Sequence, residues 1–124
     1  MPGTITFKPI EANLSREKET VFQMDPYCKF SLGWHSAQSS VARGQGEHPH
    51  WKDCVQLQRK HNEHSAKLVV KDSDSFGLDD LIGEAQIDLD KVVTEGKVSQ
   101  WYDVKKHGKV IGEVLLEIEY TMNL

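Results

Sequence analysis

Val110-Ile111-Gly112-Glu113-Val114-Leu115-Leu116-Glu117-Ile118-Glu119-Tyr120 sets Val114, Leu116, Ile118 and Tyr120 at every second position, with glutamates between most of them. A period of two is the period of a strand whose one face lies on a core. The same kind of run recurs upstream. Trp101–Val104, Ile82–Ile87 and Leu68-Val69-Val70 precede it, and Val55 and Leu57 alternate with Gln56 and Gln58. Further back lie a weak run at Ser39–Arg43, then Tyr27–Leu32 with Cys28, Phe30 and Leu32 on one face, then Thr4–Pro9 with Ile5 and Phe7. Each is bounded by Gly, Pro, Asp or Asn, the residues that end strands and make turns. Eight short strands in one chain predict an antiparallel sandwich or barrel. Only Leu89–Glu95 reads as helix, about two turns with Asp88 or Asp90 as its cap. Strands and helices do not alternate, which excludes a parallel α/β sheet.

At 124 residues the chain is read as one domain, 1–124, long enough for a core without disulfides or metals to staple it. A net charge of −4 sets aside a general nucleic-acid binder, which would carry a basic stripe. No apolar run approaches the ~18 residues of a membrane span, and Met1–Ile10 lacks the pattern of a signal peptide. A cytoplasmic protein is expected, and with it free thiols at Cys28, facing in, and Cys54, facing out. The sequon Asn13-Leu14-Ser15 is then read as chance.

Carboxylates are unevenly spread. Asp72, Asp74, Asp79 and Asp80 fall within nine residues, and Glu17, Glu19 and Asp25 within another nine. Both groups lie between strands, so two loops at one end of a sandwich would bring several negative charges together. Such a cluster repels itself by roughly 1 to 4 kcal/mol per close pair, depending on the dielectric. A hard divalent cation relieves this, and calcium accepts six to eight oxygen ligands in flexible geometry. The plainer alternative is two solvated acidic loops. An EF-hand is excluded: Phe76 occupies a ligand position, Gly83 stands where the bidentate Glu belongs, and strands flank the loop.

At these positions the sequence resembles the C2 family over nearly its whole length. Glu11-Ala12-Asn13-Leu14 looks like the end of the family's first core strand. Asp25-Pro26-Tyr27-Cys28-Lys29-Phe30 is similar to its Asp-Pro-Tyr-Val-Lys-Val strand opening. His48-Pro49-His50-Trp51-Lys52-Asp53 is similar to its Asn-Pro-Val-Trp-Asn-Glu turn. Asp72-Ser73-Asp74, followed by Asp80-Leu81-Ile82-Gly83-Glu84, resembles its third calcium loop and the strand beyond. The resemblance implies an eight-stranded Greek-key β-sandwich. The first strand leads straight into the first loop and an extra strand follows Trp101–Val104, as in the circularly permuted type II topology of phospholipases and small one-domain plant proteins.

It also implies a calcium-dependent phospholipid-binding module and no catalysis. Asp25, Asp72, Asp74 and Asp80 stand at four of the five aspartate positions the family uses for Ca2+. Glu19 stands at the fifth, with Lys18 beside it, which points to one good site and a weaker second. Ser73 and Asp79 join the expected ligand set, Asp79 as substitute or as added negative field. Val21, Phe22 and Phe76 are the expected contacts with an anionic membrane. A monomer is expected, with no nucleic acid and with any protein partner unknown. The competing reading is a protein-interaction module that binds calcium weakly or not at all. His48, His50, His61 and His64 do not have zincin spacing and are read as solvated. Trp34, Trp51 and Trp101 are read as core or corner packing.

Overall fold

The computed structural model describes residues 2–15 and 24–123. Its elements are β1 (Gly3–Leu14), β2 (Pro26–Leu32), β3 (His35–Gln38), β4 (Val55–Arg59), β5 (Ser65–Asp72), β6 (Asp80–Asp88), α1 (Leu89–Glu95), β7 (Lys97–Lys106) and β8 (Lys109–Met122). Antiparallel pairing runs in the order β3-β2-β5-β6-β7-β8-β1-β4. The seam between β6 and β7 is a single pair, Glu84 with Lys105. There the strands part into two four-stranded layers. Phe7 of β1 stacks on Phe30 of β2 across the layers, with ring centroids 4.6 Å apart and 17° between planes. The fold is the antiparallel β-sandwich expected.

The alternation that marks β8 explains why this packing forms. Val114, Leu116 and Ile118 are fully buried, and they meet Ile5, Phe7, Leu68, Val70 and Val104 in one core. Each such side chain contributes roughly 1.5–3 kcal/mol of transfer free energy. β8 lies between β7 and β1, hydrogen-bonded to both, which is the place a type II arrangement gives its last strand. In β1 the ladder slips between Pro9 and Glu11, so buried positions change from odd (Ile5, Phe7) to even (Ala12, Leu14). An added residue at a bulge does this because side chains alternate strictly along a strand.

At Gly112 a Cβ would stand 2.2 Å from the Asn13 carbonyl oxygen, so only glycine lets β8 approach the end of β1. α1 is capped by Asp88, whose Oδ1 accepts from the N–H groups of Asp90 (3.0 Å) and Lys91 (3.4 Å). Cys28 is buried, Cys54 is exposed, and both are free thiols.

Two expectations are corrected. Ser39–Arg43 is not a strand; the edge strand is the earlier, polar β3. The Ser39 hydroxyl accepts the Cys28 N–H at 3.0 Å, and Ala42 N–H donates to the Pro26 carbonyl at 2.8 Å. Side-chain and irregular backbone bonds thus replace a ladder. Of the tryptophans, only Trp51 packs inside, its indole N–H on the Pro26 carbonyl at 3.3 Å. Trp101 is 40% exposed and Trp34 wholly exposed, on a hairpin turn that Gly33 opens with positive φ.

Candidate functional site

Three adjacent strands open at one end of the sandwich. β2 begins beside the end of β5, with Pro26 opposite Asp72, and β6 begins beside the same residue, with Asp80 opposite Asp72. Asp25, Asp72 and Asp80 therefore form a row across the mouth. The row is stitched by backbone bonds. Asp72 Oδ1 accepts the Asp25 N–H at 2.8 Å, and Ser73 N–H donates to the Asp25 carbonyl at 2.9 Å. Asp25 Oδ1 accepts the Gly44 N–H at 2.6 Å, which ties in the Gly44-Gln45-Gly46 turn.

Beyond this row the chain bulges outward between β5 and β6. Asp74 Oδ1 accepts the Phe76 N–H at 2.8 Å, a local turn that aspartate side chains make readily. Asp79 closes the loop: Oδ1 accepts the Asp74 N–H at 2.9 Å and Oδ2 accepts the Tyr27 hydroxyl. The Tyr27 hydroxyl bond, then the Asp74 amide, hold the Asp79 carboxyl below the usual carboxylate range. Burial, reinforced by Asp79, pushes the Tyr27 phenol up to about 12, so it remains a donor across the physiological range. Asp79 is thus a brace for the loop, charged at neutral pH.

At the tip Phe76 is wholly exposed and Leu78 is 92% exposed. Sequence reasoning found Phe76 but missed Leu78 and Tyr27. Leu78 was legible as a second apolar residue after Gly77 in a segment with no strand partner. Tyr27 was hidden because Pro26, Tyr27 and Cys28 are all buried, which breaks the alternation of β2. Glu19, Val21 and Phe22, with Glu17, lie outside the described residues. The histidines belong elsewhere: His50 pairs with Glu11 at 3.0 Å, and His64 with Asp90 at 2.8 Å beside α1.

The donor chemistry of this mouth is carboxylate oxygen, with the Ser73 hydroxyl next in line, a hard set that suits calcium over softer metals. The charge is already packed on adjacent strands. Among the described residues, no three His, Cys, Asp or Glu side chains converge as a ready metal cage. The aspartates meet instead in pairs, Asp25 with Asp72 and Asp74 with Asp79, each pair joined through a backbone N–H.

The family model of the C2 domain matches residues 3–104. The chain belongs to the C2 domain family. β8 lies beyond the matched range, which is what a permuted last strand produces. The C2 chain is 31% identical over 120 residues to elicitor-responsive protein 3 of Oryza sativa subsp. japonica, covering 96% of this chain and 83% of that one. Among solved structures, a C2 domain-containing protein from a putative elicitor-responsive gene superposes with a TM-score of 0.85 at 26% identity, covering 99% of this chain and 91% of that one. The two C2 domains of Extended-Synaptotagmin 2, in a calcium-bound structure, match with a TM-score of 0.79 at 24% identity, over 95% of this chain and 45% of that one; this likeness is one of fold. Among the described residues no helix of the C2 domain is long and apolar enough to cross a membrane.

Proposed function

We propose that this C2 domain binds Ca2+ in the mouth formed by Asp25, Asp72, Asp74 and Asp80, and thereby attaches peripherally to an anionic phospholipid surface. Glu19, Ser73 and Asp79 complete the proposed set, Asp79 chiefly by bracing the loop. The observation that carries the reading is one juxtaposition. A row of aspartates across β2, β5 and β6 stands directly beside a loop whose tip gives Phe76 and Leu78 to solvent. Large apolar side chains at a loop tip, beside charged ligands, suit a lipid interface better than water.

Bound calcium supplies the positive charge that cancels the field of the aspartates and offers coordination to phosphate oxygens. The protein's own part is placement. Backbone bonds to Asp25, Asp72 and Asp74 hold the carboxylates on the rigid end of the sandwich, and Asp79 with Tyr27 fixes the outward bulge that carries Phe76. Val21 and Phe22 are proposed as a second contact. The site recruits and turns nothing over: among the described residues, no nucleophile with an adjacent base lies in it.

The metal half of the proposal is tested by thermal melts with calcium and with magnesium. Calcium binds the folded mouth and not the dispersed chain, so stability should rise by about 2.7 kcal/mol per site at a hundredfold excess over Kd. Magnesium resists dehydration and wants a tighter octahedral cage, so its effect should be much smaller. Equal shifts from the two ions at equal ionic strength would mean screening rather than a site.

A further inference from the structure

The turn between β7 and β8 carries Lys105, Lys106, His107 and Lys109, all exposed. It is a two-residue hairpin: Lys106 pairs with Lys109, and the central residues His107 and Gly108 have φ of 53° and 77°. Positive φ at both central positions is the requirement of a type I′ turn, whose twist matches that of the strands. The lysines therefore project from a fixed scaffold.

The scaffold stands at the same end as the aspartate mouth. β8 enters beside the end of β1, with Gly112 opposite Leu14 and the Ser15 N–H on the Ile111 carbonyl at 2.8 Å. Lys105 lies opposite Glu84 of β6, and a Cβ at Gly83 would be 3.2 Å from the Lys105 carbonyl. Asp80 begins that strand. Two like charges, Lys106 and Lys109, face each other across the hairpin, an arrangement that opposes folding. The nearest carboxylates on these strands, Asp103 and Glu113, also face each other and lie further down, with Glu113 accepting from Asn13 at 3.5 Å. Glu84 is paired with Lys67 at 3.2 Å. Charge is thus segregated, with cations at the rim.

We propose that the Lys105–Lys109 hairpin is a calcium-independent contact for the phosphates of an anionic lipid surface, set beside the calcium mouth so that both meet one bilayer. This rests on the membrane reading in one respect, that this end of the sandwich faces lipid. A cation cluster alone would serve a soluble phosphate equally; the exposed Phe76 and Leu78 at the same end favour the bilayer.

The test is cosedimentation of the whole protein with phosphatidylserine/phosphatidylcholine vesicles, in chelator and in calcium, at low and at physiological salt. The variants are K105Q/K106Q/K109Q and K105R/K106R/K109R. In chelator and low salt the wild type should bind weakly and lose binding as salt rises. The Gln variant should lose that binding, about fivefold for each lysine removed, and the Arg variant should keep it. Phosphoserine at millimolar concentration should not displace the protein; displacement would make the hairpin a soluble-phosphate site and overturn the proposal. So would an Arg variant that behaves like the Gln variant, since charge would then not be the cause. Calcium-dependent binding that is normal in both variants, with none in chelator, would sink the hairpin and spare the mouth. Salt-sensitive binding in chelator with no gain from calcium would do the reverse.

Discussion

Truncation of the loop tip, Phe76→Ala with Leu78→Ala, is expected to remove most calcium-dependent vesicle binding while leaving calcium affinity and the melting temperature nearly unchanged. Phe76 is wholly exposed and Leu78 almost so, and neither belongs to the buried core. Their loss therefore opens no cavity. Had Phe76 been a core residue, truncation would cost about 3–5 kcal/mol of folding stability. The loop itself should keep its shape, because the bond that fixes it runs from the Phe76 backbone N–H to Asp74 Oδ1 and survives in alanine. A ring fully buried in lipid contributes roughly 1.5–3 kcal/mol, so Phe76→Ala alone should weaken vesicle binding by about ten- to a hundredfold. Leu78→Ala should add a comparable loss. Vesicle cosedimentation and melts on the same protein decide it. Unchanged binding with an unchanged melt would take this tip out of the mechanism and leave Val21 and Phe22 as the candidates.

Asp74→Asn is expected to weaken calcium binding by at least about tenfold, which is about 1.4 kcal/mol. Asparagine has the same shape and its carbonyl oxygen can still accept the Phe76 N–H, so the substitution removes charge and preserves the turn. Ligand charge sets calcium affinity strongly. Stability without calcium should stay level or rise, since Asp74 sits beside Asp79 and like-charge repulsion falls. Calcium titration by calorimetry measures the first effect and a melt in chelator the second. Wild-type affinity in the mutant would remove Asp74 from the ligand set.

The fold was legible where a single strong signal ran along the chain. The alternation through Val114, Leu116 and Ile118 announced β8, and Asp88 before Leu89 announced the one helix. It was not legible where polar bonding replaces hydrophobic pattern. Val41 and Ala42 looked like strand, but the Ser39 hydroxyl takes the place of a ladder partner on Cys28, and the real edge strand, His35–Gln38, has no apolar signature. Trp34 shows the converse limit. Hydrophobicity says that a side chain gains by burial, yet a hairpin tip opened by Gly33 points it away from the core.

The candidate site divides in the same way. Asp25, Asp72 and Asp80 could be named because clustered charge is visible in one dimension. Their alignment as a row depends on which strands are neighbours, and β2 and β5 are not consecutive in the chain. Tyr27 went unseen because its partner, Asp79, is 52 residues away. Leu78 went unseen because an apolar residue in a loop has no periodicity to mark it.

The central claim is that calcium in the aspartate mouth attaches this C2 domain to anionic lipid. Its most direct test is cosedimentation of the wild-type protein with phosphatidylserine/phosphatidylcholine vesicles at physiological salt, across steps of free calcium from chelator upward. The account predicts little protein in the pellet in chelator, a saturable rise with calcium, reversal on adding chelator, and no rise with neutral phosphatidylcholine vesicles. A pelleted fraction that does not change with calcium, in a protein that melts normally, would contradict it and favour a calcium-independent interaction module.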